Sequence, residues 1–186
     1  MASASAFPSS VAGSPYGDGT WTDISNVTAS DNTYATVALD AFEGPSESEY
    51  IVSTGFGFAV PAGATINGIV VEVEGKGSAT SLGRTVAAQL LKAGVAVGSD
   101  YGLTEAPWGT TEAFRTVGGG AADLWGTTWT RAEVNDAGFG VQFAIGANGG
   151  AGTVSVDSVR VTVYYTEAGS GVAPLVVHHR KQQGAA

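Results

Sequence analysis

The sequence has no cysteine and only two histidines, His178 and His179, which are adjacent. Without cysteine there is no disulfide framework of the kind small secreted domains rely on, which argues against secretion from a eukaryotic host. The Cys/His sets of zinc motifs are missing as well. Nucleophilic hydrolysis needs a base beside a Ser, Thr or Cys. Neighbouring histidines on a strand point to opposite faces, and no Gly-x-Ser-x-Gly elbow is present, so a histidine-dependent triad is not expected. Charge is scarce: 13% of residues are charged, about half the usual share. Cations are scarcest. The eight Lys and Arg are scattered, and the net charge is −9 with a pI near 4.4. Nucleic-acid binding needs several clustered phosphate contacts, so no nucleic-acid partner is expected. No apolar run approaches the ~20 residues that span a bilayer. The start, Met1-Ala-Ser-Ala-Ser-Ala-Phe-Pro8, has neither a basic region nor an apolar core, so it does not read as a signal peptide. No membrane association is expected, and synthesis in the cytoplasm is.

What is abundant is small. Glycine makes up 28 of the 186 residues, roughly twice the average usage. Low charge with many small residues fits a surface covered by neighbours in an assembly; it also fits a β-sandwich with polar, uncharged loops. The run Gly55–Glu74 is the clearest patterned stretch. It reads as a strand, a tight turn at Pro61-Ala62-Gly63 and a longer second strand, that is, a hairpin. In the second strand Ile69, Val71 and Val73 alternate with Val70, Glu72 and Glu74, the period-two mark of a sheet with one buried face. Further strands are expected over 34–39, 50–60, 84–92, 95–98, 112–117, 139–145 and 154–165. In the last of these Val159, Val161, Val163 and Tyr165 oppose Ser158, Arg160, Thr162 and Tyr164. Residues 130–135 form the one short-helix candidate, with Thr130 and Glu133 at the spacing of a capping box. Many short strands, Gly-rich turns and almost no helix predict an all-β fold: a single antiparallel, jelly-roll-like β-sandwich with a short helix.

The expected organisation is an N-terminal arm over 1–20, a sandwich domain over 21–167 and a C-terminal arm over 168–186. The first 20 residues are Ser/Ala/Gly/Pro-rich and lack periodicity, which reads as an extended arm or a flexible start. The tail runs from an apolar stretch, Leu175, Val176 and Val177, into His178, His179, Arg180 and Lys181 behind a Gly-Ser-Gly hinge. It is either a partner-binding arm that adds to a neighbouring sheet or groove, or a frayed terminus.

Candidates for chemistry are few. Glu72 and Glu74 share a strand face, as do Glu47 and Glu49 if that segment is extended. Two carboxylates suit a glycosidase only when they flank a bond in a cleft, and outer-face charges are the simpler reading. Asp31 and Asp157 stand apart as calcium candidates without EF-hand spacing; a turn at Asp31, and loop amides bonded to Asp157, are the alternative. No catalytic residue, cofactor or metal is expected. Trp108 and Trp125 are candidates for a sugar-stacking platform, with packing at the sandwich end as the competing reading.

The string Trp21, Ser30–Thr36 and Gly55–Val73, followed by Asp123-Leu-Trp-Gly126, Trp129-Thr, Glu133-Val-Asn135, Phe139-Gly-Val141 and Val156–Tyr165, resembles proteins of tailed-phage and prophage structural gene clusters. The resemblance covers residues 21–166 and is a set of short motifs in order. It implies a non-enzymatic virion component with a jelly-roll-like core, of the capsid decoration, head-fibre or tail kind. A compact single domain with arms at both ends, low charge and no long fibre-forming repeat favours a capsid decoration protein that binds the major capsid protein or other virion proteins and stabilises the shell. A minor tail or head-fibre protein with a carbohydrate- or receptor-binding role is the alternative. A homo-oligomer, trimer or dimer, and location in the virion are the accompanying expectations.

Overall fold

In a computed structural model of the chain, the described residues are 1–44, 46–80, 82–103 and 106–169. They form ten strands: β1 (Ala2–Ala6), β2 (Ser10–Ser14), β3 (Ala35–Asp40), β4 (Tyr50–Thr54), β5 (Thr65–Gly77), β6 (Gly83–Lys92), β7 (Val95–Val97), β8 (Ala113–Gly119), β9 (Gly140–Ala147) and β10 (Ala151–Thr166). A single α-helical turn, α1 (Arg131–Val134), and a 3₁₀ turn at Ile24–Val27 complete the elements. The strands make two antiparallel sheets. Sheet A runs β1-β10-β5-β8, with β3 sharing the β1 side of β10, and sheet B runs β2-β4-β9-β6-β7.

The pairing has one generating rule. β3 pairs with β10, β4 with β9, β5 with β8 and β6 with β7. A single long hairpin, rolled up, produces this order, which is that of a jelly roll. Its tip is the two-residue turn Ala93-Gly94, both at positive φ (47° and 79°), the geometry that matches strand twist in tight hairpins. The apolar alternation fills the space between the sheets. Val71 and Val73 of β5, Val159, Val161 and Val163 of β10, and Val141, Phe143 and Ile145 of β9 are all fully buried. β10 changes parity once, from Val154 and Val156 to Val159, because a bulge between Val156 and Ser158 inserts Asp157.

The expected hairpin over Gly55–Glu74 is corrected. β4 lies in sheet B and β5 in sheet A, and they do not pair. The intervening Gly55–Val60 is a corner that wraps from one sheet to the other. Phe56, Phe58 and Val60 alternate into the core there, so the segment carries a strand's pattern without a strand partner. Side chains stand in for the missing ladder: the Val60 amide donates to Asn135 Oδ1 (2.9 Å), while Asn135 Nδ2 (3.0 Å) and Arg131 Nε (3.1 Å) donate to the Val60 carbonyl. Asn135 follows α1, whose capping box forms as the sequence predicts, with Thr130 Oγ1 accepting from the Glu133 amide and Glu133 accepting from the Thr130 amide. Asn135→Ala orphans the Val60 amide, so a loss of about 1–2 kcal/mol is expected, readable as a lower midpoint with an unchanged slope in urea unfolding. An unchanged midpoint would show that the corner holds without it.

The N-terminal arm is corrected as well. Residues 1–20 are extended, but they are woven into the body: β1 pairs with the far end of β10 and β2 with β4. The link Phe7-Pro8-Ser9 crosses from sheet A to sheet B, and Pro8 is buried. Ala4 and Ala6 pack on the core, and the Ser5 and Thr162 hydroxyls are hydrogen-bonded at 2.8 Å. Alanine and serine show no apolar/polar contrast strong enough to register as alternation, so the sequence pattern could not reveal these two strands.

Candidate functional site

Three carboxylates from separate parts of the chain meet on the outer side of sheet A. Glu74 projects from β5, Glu112 precedes β8, and Asp157 is the bulged residue of β10. One oxygen from each lies within 4.8 Å of the other two. The bulge brings Asp157 to this point: the extra residue turns its side chain out of the valine row, toward the 29–34 loop. Asp157 Oδ1 accepts the amides of Asp31 (3.4 Å) and Thr33 (3.1 Å), and Asp31 Oδ1 also accepts the Thr33 amide (2.9 Å). Asp31 and Asp157, isolated in the sequence, are therefore brought together in a loop clasp, the reading in which both serve backbone donors.

The other carboxylates are also engaged. Ser158 Oγ donates to Glu74 (2.9 Å). Glu112 Oε2 accepts the Tyr34 hydroxyl (2.6 Å) and Lys76 Nζ (3.4 Å), and Lys76 also donates to the Tyr34 hydroxyl (2.8 Å). Lys76 supplies the compensating cation for the group. Glu112 Oε1 is buried with no hydrogen-bond partner among the described residues. Glu72, one step along the same face, is paired with Arg160 at 2.9 Å. Of the other predicted pair, Glu49 accepts the Trp21 amide (3.1 Å), and Glu47 sits at an isolated bridge to Gly146.

This geometry does not suit glycoside hydrolysis. A working pair must flank a bond in an open cleft, and Asp157 is only 1% exposed. Burial, followed by the charges of Glu74 and Glu112, raises the Asp157 pKa above its ordinary 3.8, against the loop amides that pull it down. A raised folded-state pKa means that ionising Asp157 costs stability. The favourable contribution is complete below the unfolded value and is lost as pH rises through the folded one. Asp157→Asn keeps an acceptor for the loop amides and turns an NH₂ group toward the acids. It is expected to stabilise the protein at pH 7 by about 1 kcal/mol, or about 2–4 °C in Tm, and the gain should shrink toward zero as pH falls to 3.8. Thermal unfolding of both proteins across this range tests the sign; a gain that grows on acidification would refute it.

The proposed sugar platform is corrected. Trp108 and Trp125 are fully buried and offer no face to a ligand. Trp108 lies against Gly75 of β5, with the Arg115 guanidinium over its ring at 5.1 Å. Trp125 donates its indole N–H to the Ile69 carbonyl (3.0 Å) and meets Tyr101 edge-on at 4.7 Å between centroids. Both close the sandwich, the competing reading of the sequence. The tail residues Leu175, Val176, Val177, His178, His179, Arg180 and Lys181 lie outside the described residues. Among the described residues no helix is long and apolar enough to cross a membrane.

Comparison of the chain with protein-family models, with curated proteins and with solved structures finds no match.

Proposed function

We propose that this chain is a non-enzymatic structural protein of a tailed-phage virion, and that it decorates and stabilises the capsid. One observation carries the non-enzymatic part. The clustered acids, Glu74, Glu112 and Asp157, are spent on a serine, a tyrosine–lysine pair and a loop clasp, which leaves them scaffold. The virion part rests on the ordered motifs of residues 21–166. These motifs fall on β3, β5, β9, β10, α1 and the Trp125 turn, the elements that build the jelly roll. A ligand that binds only the assembled shell stabilises it by mass action, and a compact sandwich with an apolar-to-basic tail, Leu175–Lys181, suits that role, with the major capsid protein as partner. The carbohydrate-binding alternative loses its support with the burial of Trp108 and Trp125.

The test is a map of particles from the phage that makes this chain, together with particles lacking it. Density for the sandwich on the head, and genome release at lower temperature without it, are the expected results. Purified particles that do not contain the chain would overturn the reading; density on the tail would overturn decoration.

A further inference from the structure

An asparagine side chain is chemically weakest where glycine follows it, because glycine has no side chain to keep its amide nitrogen away from the asparagine Cγ. Of the five asparagines, two stand before glycine: Asn67 and Asn148. The fold treats them in opposite ways. Asn67 lies within β5, and its neighbours are in register with β10, Ile66 opposite Tyr165 and Gly68 opposite Tyr164. Its side-chain amide donates to Thr166 Oγ1 at 2.8 Å. Gly68 is buried, and a Cβ added there would collide with the Gly120 carbonyl. The backbone is held extended at this point, and the chain around it is closed.

Asn148 lies instead in the short link, 148–150, that carries the chain from β9 in sheet B to β10 in sheet A. Gly149 and Gly150 hold φ of 91° and 114°, and a Cβ added at either meets no atom within 4 Å. Hydrogen bonds fix the link on both sides, from the Asn148 amide to the Leu82 carbonyl (2.7 Å) and from the Ala41 amide to the Gly150 carbonyl (3.0 Å). Between them Gly149 is exposed, and among the described residues its amide makes no hydrogen bond.

We infer that Asn148 is a site of self-modification, at which the Gly149 backbone nitrogen displaces the side-chain amide and leaves aspartate or isoaspartate. The Gly149 nitrogen bonds to Asn148 Cγ and gives up its proton, the side-chain nitrogen departs as ammonia, and a succinimide ring closes. Water then opens the ring at either carbonyl. One opening leaves aspartate; the other leaves isoaspartate, with the backbone routed through the former side chain. Water is the only co-reactant, and nothing is oxidised or reduced. Arg84 Nη1 lies 3.5 Å from Asn148 Oδ1, the oxygen on which negative charge gathers during the attack, so the guanidinium favours the step. Asn67 can follow the same course only when β5 opens around it, and opening of a core strand is rare. The conversion adds one negative charge to a chain that carries −9. As isoaspartate it also lengthens the backbone by one carbon in the link between the two sheets. The inference stands independently of the virion reading, since it needs only the folded chain and water.

Peptide mapping by mass spectrometry of the full chain, kept folded in mildly alkaline buffer for weeks, tests it. Asn148 is expected to convert at least ~10-fold faster than Asn67, and a more acidic species should grow in parallel on anion exchange. Gly149→Ala places a methyl where the fold has room for it but beside the attacking nitrogen. It should leave Asn148 intact over the same period, with an unchanged circular dichroism spectrum showing that the sandwich is formed. In urea, where β5 is unpaired, the two asparagines should convert at similar rates. An Asn148 that stays intact, an Asn67 that keeps pace with it in the folded protein, a Gly149→Ala protein that converts at the wild-type rate, or a difference that persists in urea would each overturn the inference.

Discussion

Trp125→Ala is expected to destabilise the protein by about 3–5 kcal/mol. For a chain of this length that lowers Tm by roughly 6–20 °C. The ring is fully buried and wedged between Tyr101 of the 98–103 segment and the end of β8; a Cβ added at Gly118 would stand 2.7 Å from its Cη2. It therefore joins the edge of sheet A to the edge of sheet B. Its backbone is held in the left-handed region at φ 58° by hydrogen bonds at both ends: the Trp125 amide donates to Asp123 Oδ1 (2.7 Å) and its carbonyl accepts from Ser99 (2.8 Å). Alanine keeps the unfavourable φ and loses the ring that justifies it. Trp125→Phe should fall between wild type and alanine. The Ile69 carbonyl, which loses the indole N–H, keeps the Gly120 amide (3.1 Å). Differential scanning calorimetry of the three proteins checks the order, and an alanine variant within 1 °C of wild type would show that the wedge carries no weight.

Gly119→Ala is expected to cost several kcal/mol at the same corner. Gly119 has φ 85°, a conformation that costs a residue with a Cβ roughly 1–2 kcal/mol. Its added methyl would also collide with the Ile69 carbonyl and approach Trp125 Nε1 to 2.6 Å, and overpacking of this kind costs about 1–3 kcal/mol more. Gly57→Ala separates the two terms. Gly57 has φ 66° and no atom within 4 Å of an added Cβ, so only the backbone term applies. Chemical unfolding should therefore place Gly57→Ala well above Gly119→Ala in stability. Equal losses would mean that the backbone alone sets the cost.

The sequence made the long strands legible for a simple reason. β5, β9 and β10 carry β-branched and aromatic residues against polar ones, and that contrast is the period-two signal itself. The capping box of α1 was legible because it is local, needing only Thr130 and Glu133. The 55–74 run misled because alternation reports an extended chain with a buried side and says nothing about which strand it pairs with. Phe56, Phe58 and Val60 satisfy the pattern at a corner, with Asn135 supplying the hydrogen bonds. The carboxylate cluster was hidden because its members lie far apart along the chain, although the shift from Val156 to Val159 marked the bulge that places Asp157. The burial of Trp108 and Trp125 was open in the sequence because an indole serves a core and a binding face equally well.

The rolled pairing also sets the order in which this chain can become a protein. Ser5 bonds Thr162, 157 positions away, and β1 has no sheet to join until β10 exists. A chain emerging at about 5–20 residues per second must hold β1 unpaired for most of the synthesis of the sandwich. Contacts of such separation close slowly. The Ala/Ser composition of β1, with no large apolar side chain between Ala2 and Ala6, makes that wait safe, since the waiting strand offers little for a wrong partner to bury. The weak patterning that hid β1 from sequence reading is thus suited to a strand that is made long before its partner.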